Sequence, residues 1–324
     1  MTDLWLQFLL LVDATLRIAT PLILCAMAGI FSEKSGIIDI SLEGKMLMAA
    51  FTAATVAALT GSVWAGLFCA IGVSILLGLL HGLASITFLG NQVISGLAIN
   101  ILASGFTVAI GVAIFQQGGQ TPQLGRDSRL GPVELPFVED FGGIPVVGSI
   151  YQEVVSGHNL LVWTALAAVV FTALILTRTR FGLRLRAAGE KPEALDCAGI
   201  SVSLVRYRAL IIAGVLCGIA GAYLSTAHGS GFVREMTAGK GYIALAAMIF
   251  GKWRPYRALF ACLLFGFLEA VASRLQGVSL PLVGEAPVEL ILALPYLLTI
   301  ILLAGFVGRA TPPRASGKPH VKAR

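Results

Sequence analysis

The chain has 324 residues, of which 57% are hydrophobic and 12% charged, with a mean hydropathy of +0.88 and a formal net charge of +6. An ordinary soluble domain carries about 25% charged residues and its core stops growing near roughly 250 to 300 residues, so this much apolar surface requires lipid around it. The composition excludes a separate soluble catalytic domain, for which no polar stretch is long enough. It also excludes a nucleic-acid binder, because the basic residues are scattered among loops rather than gathered on one domain.

The first apolar run has Asp3 ahead of it in place of a basic segment and no small-residue cleavage site, so it reads as a retained span. Asp13 and Arg17 within it are spaced i, i+4 and are expected to satisfy each other. With about 20 apolar residues needed per crossing, spans are expected over 8–31, 46–60, 63–88, 93–115, 160–177, 209–227, 242–250, 258–276 and 288–307. The expectation is an all-α, polytopic membrane protein with about nine crossings, eight and ten being the bounds. The second and seventh spans are short, which marks broken or re-entrant segments. A repeat accompanies them: Ser35-Gly36 followed by Gly44-Lys45 matches Ser230-Gly231 followed by Gly239-Lys240 at identical spacing. The two copies are expected on opposite sides of the membrane, as an inverted repeat requires.

Orientation follows the basic residues. Residues 178–208 carry seven Lys and Arg against three acids, and the tail 309–324 carries five against none, so both are expected in the cytoplasm. Residues 116–158 hold five acids, Asp127, Glu134, Glu139, Asp140 and Glu153, against two arginines, and are expected outside. Residues 1–308 then form a single transmembrane domain.

No catalytic or metal-binding constellation emerges. The two Gly-Lys pairs lack the remaining P-loop residues, and the four histidines and five cysteines show no ligand spacing. His81, between Gly78 and Gly82, is read as a packing residue. Ionisable residues in apolar runs need a partner or a water-filled cavity; Glu269 and Arg274 are expected to pair, whereas Glu43 has no sequence neighbour positioned for it. Glu43 either lines a path or anchors the broken segment. In the run from Asn91 to Asn100, Gln92, Ser95, Gly96 and Ile99 share a helical face with Asn100 on its flank. Such carboxamides and hydroxyls suit either a neutral polar solute or helix-to-helix contacts. Candidate pathway residues are therefore Asp39, Glu43, Asn91, Gln92, Ser95 and Asn100.

In the basic loop, 190–198 is expected to be a short helix, with Pro192 in its first turn and Gly199 as its stop. This loop, the 35–45 segment, Asn91 to Asn100, 214–222 and the run G-Y-I-A-L-A-A-M-I-F-G-K-W-R-P from Gly241 to Pro255 resemble the permease subunits of bacterial ABC importers in the branched-chain amino acid, ribose and nucleoside permease family. The likeness covers nearly the whole chain. It implies that the Arg-Ala-x-Gly-Glu-x-Pro-x-Ala loop is a coupling helix docking on an ABC ATP-binding subunit, with Gly189, Glu190, Pro192, Ala194 and Gly199 as docking positions.

The segment from Gly36 to Gly44 is most similar to the nucleoside branch, which usually has Asn where this chain has Asp39. The implied function is half of an ATP-driven pathway for nucleosides or a related small polar solute, in the bacterial inner membrane. The implied partners are a second permease, homologous or identical, and a periplasmic or lipid-anchored solute-binding protein. No cofactor is implied for this chain, since ATP belongs to the partner subunits. The alternative reading is an ion-coupled secondary transporter using Glu43, Glu269 or Glu289.

Overall fold

A computed structural model describes residues 2–133, 151, 154, 156–275, 279–280, 284–285, 293, 297 and 310–321. Its described residues form ten α-helices: α1 Thr2–Lys34, α2 Leu42–Thr60, α3 Val63–Gly82, α4 Gln92–Phe115, α5 Leu160–Arg178, α6 Arg180–Glu190, α7 Pro192–Cys197, α8 Val202–Tyr223, α9 Lys240–Phe250 and α10 Pro255–Leu275. A two-residue antiparallel pairing joins Ser279–Leu280 to Gly284–Glu285. Seven of the described helices are long and apolar enough to cross a membrane, and α9 is a shorter apolar helix. The expected span over 288–307 lies outside the described residues.

Local chemistry sets the helix starts. Ser62, Asn91, Asn159, Thr179 and Ser201 each accept a hydrogen bond from a first-turn backbone N–H of α3, α4, α5, α6 and α8 respectively. Helix α2 begins at Leu42, four residues before the expected span, and its 19 residues suffice to cross. The break therefore lies ahead of it, at 35–41. Helices α3 and α8 both end in single π-turns, Leu83–Thr87 and Leu224–His228, before the chain leaves helical geometry.

The core sits where α1, α2 and α8 meet, with α3, α4, α9 and α10 packed around them. Without a hydrophobic force between helices in lipid, close backbone approach through small residues supplies the packing. A Cβ on Gly221 of α8 would lie 2.3 Å from the Met46 carbonyl oxygen of α2, and Cβ atoms on Gly214 and Gly218 would fall within 2.7 Å of Ile75 and Ile71 of α3.

The full-length helices define two ends of the bundle. At one end α6, α7 and residues 310–321 lie against the break at 35–41: Ala315 N–H donates to Gly189 O, Gly317 N–H to Gly36 O, and Arg206 Nε to Ser35 O. At the other end the loop after α4 meets the second repeat copy, with Thr121 N–H donating to Phe232 O and Leu124 N–H to Ser230 O. Helix α2 links the two ends, since Ser128 Oγ donates to Gly61 O just past its last residue. The two repeat copies thus sit at opposite ends of the bundle.

Candidate functional site

The first break is held by side chains. Lys45 Nζ lies 2.6 Å from Asp39 Oδ2, both side chains being 0% exposed, and Ser41 Oγ donates to Asp39 Oδ1. The Lys45 ammonium and the Ser41 hydroxyl together meet the buried Asp39 carboxylate, which would be costly there without partners. Gln92 Oε1 accepts from Ile38 N–H at 2.7 Å. His81 donates from Nε2 to the Ile38 carbonyl, and its Nδ1 lies 3.1 Å from the Ser95 hydroxyl. Asn100 closes the segment, accepting from Gly44 N–H at 2.8 Å and donating to Ile40 O.

The second break enters the bundle as a run of turns, with Met236, Ala238 and Lys240 N–H donating to Val233, Glu235 and Thr237 O. Val233 bridges Gln120 at the far end, Ser104 of α4 donates to the Glu235 carboxylate, and Asn100 Nδ2 donates to Tyr242 Oη at 2.8 Å. Glu235 and Ala238 occupy the left-handed backbone region at φ 55° and 47°, which side chains rarely adopt. Helix α9 then starts inside the bundle. Its 11 residues rise about 16 Å, about half of a 30 Å hydrocarbon core, and lead to the end of the bundle that holds the first break, where Trp253 Nε1 donates to Glu33.

Glu43 joins the two breaks. Its Oε1 accepts from Gly239 N–H at 2.9 Å and its Oε2 from Gly241 N–H at 2.6 Å, satisfying donors at the start of α9 that no preceding turn supplies. Glycine is required at 241, because a Cβ there would lie 2.6 Å from Glu43 N. Glu43 thereby holds the start of α9 against the start of α2.

Helix α4 separates the remaining candidates. Gln92, Gly96, Ile99, Ala103 and Thr107 form its buried stripe. Five residues turn a helix by about 140° net, so Ser95 and Asn100 flank that stripe on opposite sides. Ser95 and Asn91 line a shallow groove of about 480 Å³ with Leu80, Ala84 and Leu102, and Asn91 caps α4 through Val93 and Ile94 N–H. Asn100 and Ser104 instead face the descending segment. Sequence reasoning missed Ser104, Glu235 and Tyr242, whose only early signal was the place of Glu235 inside the second repeat copy.

Two expected pairings differ. Asp13 and Arg17 do meet, at 2.9 Å, but Glu269 pairs with Lys240 of α9, and Arg274 donates to Gln7 O. Residues 269 and 274 are again five apart and therefore face different sides of α10.

The expected helix over 190–198 is found shorter, as α7 over Pro192–Cys197, and a separate helix, α6, precedes it over Arg180–Glu190. Pro192 lacks the N–H that would continue α6 and disfavours helical geometry at Lys191, so α6 ends at Glu190 and α7 restarts with Pro192 in its first turn. Gly199, at φ 73°, stops α7 as expected. Gly189 packs against the Lys34 carbonyl, where a Cβ would lie at 2.4 Å, while Glu190 and Ala194 are solvent-facing or part-way so on the outer side of the bend.

The described residues thus form a bundle of apolar helices with two irregular breaks joined through Glu43 and a bent basic loop at one end. The chain belongs to the family of permease components of branched-chain amino acid transport systems, whose pattern matches residues 11–303. It is similar to the guanosine ABC transporter permease protein NupQ of Bacillus subtilis, at 38% identity covering 97% of each chain. It is also similar to the nucleoside ABC transporter permease protein NupC of Lactococcus lactis, at 35% identity covering 94% of this chain and 95% of that one. A Haloferax volcanii protein named as a candidate glucose ABC transporter permease, TsgC13, is 34% identical over 94% of this chain and 93% of its own. The chain is accordingly a multi-pass ABC permease of the cytoplasmic membrane, and a transport subunit rather than an enzyme. Permeases of this kind work with an ATP-binding subunit and a solute-binding protein.

Proposed function

We propose that this chain forms one half of the pathway of an ATP-driven importer for nucleosides or a related small polar solute, and that the pathway wall runs along Asn100, Ser104, Glu235 and Tyr242. The observation that carries this reading is a polar strip beside the middle of α4. Glu235 and Tyr242 are exposed there, Tyr242 at 43%, although Ser104 lies midway along a helix long enough to cross the membrane. A carboxylate at that depth is costly against lipid and belongs beside a water-filled path.

The strip suits a neutral, hydroxylated solute, with which hydrogen bonds are exchanged without desolvating a second charge. The Tyr242 ring, its hydroxyl fixed by Asn100, offers a face for a base, and such stacking is worth about 1 to 3 kcal/mol. Asp39, Glu43 and Gln92, all buried, stand behind the wall as its supports. The strip lies on the outside of a single chain, so a second permease, homologous or identical, closes the path. The 116–158 loop faces outward to a periplasmic or lipid-anchored solute-binding protein, and the α6–α7 bend with the 309–324 tail faces the cytoplasm. There Gly189, Glu190, Pro192, Ala194 and Gly199 form the seat of the ATP-binding subunit.

The test is uptake by the complete transporter in proteoliposomes. Radiolabelled nucleoside is expected to accumulate only with ATP inside, to be indifferent to a protonophore, and to fall when Tyr242 is changed to Ala. Uptake without ATP that collapses with the proton gradient would replace this reading by the ion-coupled one. Against that alternative, Glu43 spends both oxygens on backbone donors and Glu269 is paired with Lys240.

A further inference from the structure

Residues 310–321 are separated in sequence from every element they touch, yet they lie in ordered contact with three of them. Ala315 N–H donates to the Gly189 carbonyl at the end of α6 at 2.8 Å, and Gly317 N–H donates to the Gly36 carbonyl in the first break at 3.1 Å. Ala315 is 5% exposed, and Gly317 sits at φ 74° against Ile38, where a Cβ would come within 2.9 Å of Ile38 Cδ1. His320 Nε2 is hydrogen-bonded to the Asp196 carboxylate on α7. Arg206 of α8, 1% exposed, reaches from beneath: its Nε donates to Ser35 O and its Nη1 lies 3.5 Å from Lys318 O.

A segment hydrogen-bonded through its backbone to two partners fixes their geometry relative to each other, because each N–H to carbonyl bond is directional and short. Here one segment of a dozen residues bonds the bend between α6 and α7, the helix α7 itself, and the break that Gln92 and Asn100 hold. We propose that residues 310–321 are a strap that makes α7 and the break ahead of α2 move as one body, so that displacement of α7 reaches the pathway supports. The proposal rests on α7 being the seat of the ATP-binding subunit. Ala315, Gly317 and His320 are positioning residues in it and touch no solute.

The experiment measures, in the assembled transporter, ATPase copurification, ATP hydrolysis and solute taken up per ATP hydrolysed. Three strap variants are used: deletion of 310–324, Gly317→Val and His320→Ala. Each is expected to retain the ATP-binding subunit and to hydrolyse ATP, while uptake per ATP falls; residues that carry coupling change it by about 2- to 30-fold, with deletion at the upper end and His320→Ala at the lower. Should the deletion fail to insert, the two point variants decide. Unchanged uptake per ATP in the strap variants overturns the strap. Ala194→Trp runs alongside as the probe of the seat: if it leaves copurification and uptake intact, the docking reading itself fails, whereas loss of both with Ala194→Trp and full coupling in the strap variants leaves the seat standing and removes the strap alone.

Discussion

The two repeat copies begin alike and are used in opposite ways. In the first, the segment from Ser35 to Ser41 is buried except for the half-buried Ile38 and Ile40, and its irregular backbone is satisfied by side chains brought from α3, α4 and α8. In the second, the segment from Ser230 to Gly239 is tied by backbone pairing to the loop at the far end and leaves Arg234 and Glu235 exposed. The positions that differ explain the divergence: Asp39, which reaches Lys45 within its own copy, stands where the second copy has Arg234, and Glu43 stands where it has Ala238. Irregular backbone at membrane depth persists only where protein or a water-filled cavity satisfies it. The first copy takes the former route, its backbone groups being met by protein side chains, and under the proposed reading the second takes the latter, as a wall of the path.

The sharpest way to break this contrast is to unpair the anchor. Lys45→Met strands the buried Asp39 carboxylate and is expected to lower stability by about 3 to 5 kcal/mol, whereas Lys45→Met with Asp39→Leu recovers most of the loss. Thermal unfolding of the detergent-purified chain, read by size-exclusion fluorescence, checks both. The link between the copies comes next. Glu43→Ala strands two N–H groups at about 1 to 3 kcal/mol each, while Glu43→Gln keeps an acceptor for one of them and is expected to retain uptake in proportion. Complete loss of uptake with Glu43→Gln at unchanged stability would instead give its charge a direct part in transport. The wall gives the smallest effects on the fold. Glu235→Gln and Tyr242→Phe are expected to shift stability by less than about 0.5 kcal/mol yet to lower nucleoside uptake by about 2- to 12-fold, the equivalent of one hydrogen bond.

Much of this arrangement was legible in the sequence. Hydropathy gave the crossings, Ser-Gly and Gly-Lys spacing located both breaks, and Pro192 with Gly199 bounded the short loop helix α7. Partners distant in the chain were not legible. Lys240 of α9 reaches across to Glu269 of α10, while a sequence neighbour such as Arg274 faces away from Glu269 on the same helix. Ser104 and Glu235 are 131 residues apart, and nothing in either local pattern joins them until the second break lies down along α4. The same holds for the ordered 310–321 segment, whose composition reads as a solvated basic tail but whose small residues, Ala315 and Gly317, let its backbone pair with two other glycines, Gly189 and Gly36.

Site-directed thiol labelling tests the anchor-and-wall assignment most directly. In a cysteine-free, transport-competent complex, single cysteines at Ser104, Glu235 and Tyr242 are expected to react with a small hydrophilic thiol reagent and to be protected by a transported nucleoside. Cysteines at Ile37 and Ser41 are expected to stay unreactive under the same conditions. Nucleoside-protected labelling at Ile37 and Ser41, with no protection at Ser104, Glu235 and Tyr242, would place the solute path along the first break and contradict the account.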